Sequence, residues 1–103
     1  MSDTLIRIKR LVIARRVMFT VKARNEIERD MLTEDLVLEA ILNAPVIQKR
    51  LSSVNPKSGM HETLFIISGF TYNGLILFTK GKIVHQEDKD YYYVLISSKR
   101  SVE

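Results

Sequence analysis

HETLFIISGFTY (61–72), LILFTKGKIVH (75–85) and YYYVLISSK (91–99) decide the fold of this 103-residue chain. Val, Ile, Tyr, Phe and Thr dominate all three runs, the composition that half-buried strands require. Asn73-Gly74 separates the first two and suits the pair of positive φ angles in a type I′ hairpin turn. The polar stretch Gln86-Glu87-Asp88-Lys89-Asp90 separates the second from the third. The pattern predicts an antiparallel meander over the C-terminal half.

Upstream, the spacing predicts a fourth strand and three helices. VIQKRL (46–51) alternates, with Gln48 and Arg50 on one side and Ile47, Lys49 and Leu51 on the other. SSVNPKSG (52–59) reads as the loop that leads into the meander. The first helix starts at a Ser2 or Asp3 cap and repeats Leu5, Ile8, Leu11 and Val12 at helical spacing. Val17-Met18-Phe19 reads as an apolar link. Thr20 caps a second helix to about Asp30, with Val21, Ala23, Ile27 and Met31 inward and Glu26, Glu28 and Arg29 in water. Thr33 caps the third, Glu34 and Asp35 favour its positive end, and Leu36, Val37, Ala40 and Ile41 face inward. Asn43 takes a left-handed cap before Pro45. The expected architecture is α+β: one domain, residues 1–103, with three N-terminal helices packed on one face of a four-stranded antiparallel sheet.

Composition excludes several classes. With no cysteine there is no disulfide and no thiolate metal site, and His61 and His85 lie on separate elements. Neither a cofactor nor a metal is expected. No apolar run approaches the roughly 18 residues of a membrane span, and MSDTLIRIKR lacks the apolar core of a secretory signal. A cytoplasmic protein is expected.

Charge is unevenly distributed. Residues 1–24 hold seven cations against Asp3, a balance of +6; residues 25–39 hold six acids against Arg29, a balance of −5. The net charge of +4 favours a polyanionic partner. A solvated basic helix beside an acidic one accounts for the same pattern.

Alternation along the last strand places Tyr92, Val94 and Ile96 on one side and Tyr91, Tyr93, Leu95, Ser97 and Lys99 on the other. The first set is purer in apolar surface and is expected to meet the helices. On the preceding strand Leu75, Leu77 and Ile83 go one way, and Phe78, Lys80 and Lys82 the other, with Gly81 a place for a register-shifting bulge. The predicted open face then carries Tyr91, Tyr93, Phe78, Lys80, Lys82, Ser97 and Lys99. Ammonium groups interleaved with rings suit single-stranded RNA. A metal-free ribonuclease needs proton transfer and neutralisation of phosphorane charge. Lys49, Lys80, Lys82, Lys99, Arg100, His85 and the tyrosines have the chemistry for it; surface lysines and packed tyrosines are the plainer account.

The cadence LIRIKRLVIARRV, Phe19-Thr20 with Ala23 opening a helix, TEDLVLEAILN before a strand carrying Lys49, and the closing VLISSKR together resemble the MqsR-type toxins of bacterial toxin–antitoxin pairs. FTVKARNEIERDMLTEDLVLEAI is also similar to a small bacterial family of unassigned function that looks related to the same RelE-like fold. The resemblance implies a metal-independent messenger-RNA endoribonuclease (an mRNA interferase) held inactive by a cognate antitoxin, often a small zinc-binding protein. It places the catalytic lysines at Lys49 and Lys99, while at the place of its active-site tyrosine this chain has Leu77-Phe78; for a nuclease, Tyr93 or His85 is the residue expected to exchange protons. Lys80, Lys82, Arg50, Tyr91 and Arg100 are the expected RNA-binding residues. The family's active-site glutamine falls at Glu62. A non-catalytic module, binding RNA or a protein on the same face, is the alternative.

Overall fold

The computed structural model describes residues 2–86 and 90–101. Three helices and five strands follow in the order α1 (Asp3–Ile13), β1 (Val17–Phe19), α2 (Val21–Arg29), α3 (Glu34–Asn43), β2 (Lys49–Val54), β3 (His61–Phe70), β4 (Ile76–Gln86) and β5 (Asp90–Arg100). The sheet order is β1-β5-β4-β3-β2. The mixed α+β class is as expected, but the sheet has five strands rather than four, and it is not wholly antiparallel. Val17-Met18-Phe19, expected as a link, pairs parallel to Tyr93–Leu95 of β5.

Capping explains the helix starts. Ser2, Thr20 and Thr33 each accept a hydrogen bond from the backbone N–H three residues on, satisfying one of the donors that every helix start leaves free. The first two helices end in left-handed residues, Arg15 (φ 60°) and Met31 (φ 55°). Arg16 N–H then donates to Leu11 C=O and Leu32 N–H to Ile27 C=O, each at 2.9 Å, which closes two Schellman motifs. That reversal after α1 turns the chain directly into β1. Asn43 does not take the expected left-handed cap: Ala44 ends α3 with extended geometry, and the Asn43 amide donates to Phe70 C=O.

Two turn expectations are corrected as well. At the β3–β4 hairpin only Gly74 has positive φ (89°), so the turn is not type I′. Gly74 N–H donates to Thr71 C=O, and Thr71 N–H to Leu75 C=O, the three-residue loop with a glycine bulge. The Thr71 hydroxyl accepts from Leu75 N–H and reaches the Asn73 side chain. The fourth predicted strand lies further along than expected, because Ser52, Ser53 and Val54 pair with β3. Of the polar stretch between β4 and β5, residues 87–89 lie outside the described residues.

The core lies between the sheet and α1 with α3. Leu5, Ile8 and Val12 of α1 and Val37, Ala40 and Ile41 of α3 pack with Phe65, Ile67, Leu77, Tyr93 and Leu95 of the sheet, all buried. Of the residues expected inside α2, Ala23 and Ile27 are buried, whereas Val21 and Met31 are exposed. No helix among the described residues is long and apolar enough to cross a membrane.

α2 is placed differently from the other two helices. β1 covers only three residues of β5, and α2 continues along the same edge. Thr20 N–H donates to Leu95 C=O and its hydroxyl to Ile96 C=O. The Glu26 carboxylate accepts from Ser97 Oγ (2.7 Å) and Ser98 N–H (3.2 Å), and Asp30 accepts from Arg100 N–H (2.9 Å). Four helical residues rise about 6 Å and two strand residues about 7 Å, so acids at i and i+4 match strand amides at j and j+2. The helix thereby closes an edge that would otherwise be open.

Candidate nucleic-acid interface

β4 runs as expected, with Leu77, Thr79 and Gly81 turned to the helices and Phe78, Lys80 and Lys82 to the uncovered side. β5 does not obey one alternation throughout. Gly81 pairs with Leu95 but Lys80 pairs with Ser97, so Ile96 is an extra residue in a bulge at the glycine. Before the bulge, Tyr91, Tyr93 and Leu95 share the helix side with His85, Ile83 and Gly81; beyond it, Thr79 pairs with Ser98 and Phe78 with Lys99. Lys99 is therefore on the opposite side of the sheet from Tyr93.

Tyr91 and Tyr93, expected on the open face, therefore stand on the helix side with His85, whereas Ser97, opposite Lys80, keeps the expected side. Tyr93 is fully buried beneath the helices, its ring lying where a side chain at position 81 would be. Burial pushes the Tyr93 phenol well above its ordinary pKa, and its hydroxyl has no hydrogen-bond partner. A group so enclosed does not meet a substrate, which removes it as a proton-transfer residue. Tyr91 stands on the helix side, with the Arg7 guanidinium 4.5 Å from its ring centroid and the His85 ring stacked at 4.5 Å. His85 accompanies it there as its cross-strand partner. Ser97 is buried against Glu26.

Arg50 also lies on the helix side, opposite Phe65 and 6.0 Å from its ring centroid. Arg100 is at the corner where β5 meets the end of α2, its side chain exposed and its amide held by Asp30.

What remains together is a smaller set. Lys49 pairs with Ile66 and Ile66 with Lys80, so two lysines flank an isoleucine on one cross-strand row. In the next row Ser68 pairs with Phe78 and Phe78 with Lys99, whose ammonium is 5.8 Å from the Phe78 ring centroid. Tyr92, paired with Val84, joins this face although it was expected inside. Lys82 is on the same side, but Glu62 holds its ammonium at 3.0 Å, with both side chains largely buried. This neutralises one cation and answers the acid at the position where the resemblance places a glutamine. The face can therefore offer ammonium groups at Lys49, Lys80 and Lys99 around the Phe78 ring, with the Tyr92 ring further along the same side.

Glu26 is the residue that sequence reasoning misplaced most. Read as solvated, it is buried. Burial alone would raise its pKa, yet the Ser97 and Ser98 hydrogen bonds, with Lys22 and Lys99 nearby, hold it below the ordinary value. No local pattern signals this, because the donors that it answers lie some seventy residues away.

These elements define an α+β domain with α1 and α3 on one side of the sheet, α2 along an edge, and a basic, partly aromatic surface on the other side. No protein-family model, curated protein or solved structure matches the chain.

Proposed function

We propose that the uncovered sheet face binds single-stranded RNA without cleaving it. The observation that carries this reading is the placement of Lys49, Lys80 and Lys99 around Phe78 on one side of the sheet, with Tyr92 further along the same side opposite Val84. Lysines contact phosphates from any sequence, and rings stack on any base, so the expected affinity is salt-sensitive and tolerant of sequence. Binding without cleavage is preferred because the groups expected to exchange protons, Tyr93 and His85, do not stand with the lysines.

The second reading is the one the resemblance implies: a RelE-like fold of MqsR type, acting in the cytoplasm as a metal-independent mRNA endoribonuclease restrained by an antitoxin. One observation favours it, the presence of Lys49 and Lys99 on the same face. Messenger RNA incubated with the purified chain in EDTA separates the two. The expected outcome is a retarded, intact RNA whose binding weakens steeply with salt. Cleavage that survives chelation and vanishes in folded Lys49→Ala/Lys99→Ala protein selects the nuclease. Absence of any RNA affinity at low salt removes both readings.

A further inference from the structure

The two edges of the sheet are finished differently. On the β5 side, β1 and the carboxylates of α2 occupy the edge. On the β2 side, among the described residues, nothing pairs with the outer edge. Asn55 N–H donates to Met60 C=O at 2.9 Å where β2 turns into β3. Antiparallel pairs alternate between hydrogen-bonded and not, so Ser53, Leu51 and Lys49 direct their backbone groups to β3. Arg50, Ser52 and Val54 direct theirs outward. The strand has no proline, and the Arg50, Ser52 and Val54 side chains are all exposed, so no helix shields this end.

Chemistry around the edge selects the occupant. From Ala40 to His61 there is no Asp or Glu, while Lys49, Arg50 and Lys57 stand in that interval. Exposed apolar side chains stand at both ends of the strand: Val46 (58%) before it, and Val54 (53%) and Met60 (69%) at the hairpin end. We infer that the outer edge of β2 is a docking strand for an extended, acidic segment of a partner protein, which joins the sheet as a sixth strand. Main-chain hydrogen bonds to Arg50, Ser52 and Val54 supply affinity; carboxylates meeting Lys49 and Arg50 supply selectivity. A second copy of this chain presents the same cations at its own edge and is the less complementary occupant. The inference rests on the edge and does not require RNA binding, with which it shares only Lys49.

The test uses the full chain and a twelve-residue peptide alternating Glu and Val. A Lys/Val peptide and a Glu/Val peptide N-methylated at every second amide are the controls. Fluorescence anisotropy is expected to show binding of the acidic peptide alone. Amide exchange at Arg50, Ser52 and Val54 is expected to slow about tenfold or more, with Lys49, Leu51 and Ser53 unchanged. Arg50→Glu weakens binding by about threefold to tenfold. Ser52→Pro abolishes it by removing an outward N–H, a change that edge strands tolerate. Should that variant not fold, the N-methylated peptide removes the same bonds from the other partner. Three outcomes overturn the inference: no binding of the acidic peptide at low salt, equal binding of the N-methylated peptide, or protection of the same amides without peptide in a protein of dimeric mass.

Discussion

A Cβ atom at position 69 would stand 1.9 Å from the Ala40 carbonyl oxygen, so the only side chain that fits beneath α3 at this point of β3 is a hydrogen. Both neighbours are backbone of buried elements, and neither has a flexible end that can turn away. Gly69→Ala must therefore lift α3 from the sheet, and is expected to cost ~3 kcal/mol, the upper part of the overpacking range. Chemical denaturation measures it, and a loss below about 1 kcal/mol would show that α3 has room to slide. Tyr93 presents the opposite case. Its hydroxyl is buried and unpartnered, so deleting it removes a desolvated polar group without breaking a bond. Tyr93→Phe is expected to leave stability unchanged or raise it by about 1 kcal/mol, and to leave RNA affinity at the wild-type value. A clear fall in RNA affinity in a stable Tyr93→Phe protein would return Tyr93 to the site.

α2 shows how one short helix finishes a sheet. Glu26→Ala leaves Ser97 Oγ and Ser98 N–H without their acceptor in a buried place, which is expected to cost about 2–3 kcal/mol. Glu26→Gln keeps an acceptor oxygen and costs less. The sign of the pH dependence follows from the carboxylates. Glu26 and Asp30 both have pKa values below their ordinary ones in the folded chain: hydrogen bonds and nearby cations outweigh burial at Glu26, and the Arg29 and Arg100 contacts lower Asp30. Their contribution is full above the unfolded carboxylate values near 4 and disappears as pH falls through the lower folded values. Resistance to thermal unfolding is expected to fall below about pH 4, less steeply in Glu26→Gln. An identical acid limb in both proteins would separate Glu26 from this effect. The same element marks the boundary of what the sequence discloses. Caps at Thr20 and Thr33, the stripe of α1 and the alternation of β4 were legible because each is a local pattern. The inward turn of Glu26 was not, because it answers donors some seventy residues away. Nor was the face of Tyr93: ranking the two sides of β5 by apolar purity assumes one alternation, and the bulge at Ile96 divides it in two. Of the expected site, the lysines therefore assemble, whereas Tyr93, Tyr91 and His85 do not.

Across the whole molecule, α1 and α3 lie on the opposite side of the sheet from the lysine face, and α2 lies along the β5 edge, so mutations at Lys49 and Lys80 are expected to change binding with little effect on the core. Lys49, Lys80 and Lys99 are carried on three strands, β2, β4 and β5, and each is opposite an uncharged partner in its row. Lys82 is the internal control, since Glu62 already occupies its ammonium. For single-stranded RNA, each phosphate contact contributes about 0.7 to the slope of log affinity against log salt. Lys80→Ala and Lys99→Ala are each expected to lower that slope by about 0.7 and to be additive, being contacts to different phosphates. Lys82→Ala should leave the slope unchanged while loosening the fold, because it strands the largely buried Glu62 carboxylate. Phe78→Ala should weaken binding with no change of slope, since stacking releases no counterions. A polyuridine oligonucleotide titrated against each variant at several salt concentrations reads both quantities together. If Lys82→Ala lowers the slope as much as Lys80→Ala does, the RNA path does not follow the face that the strand register defines.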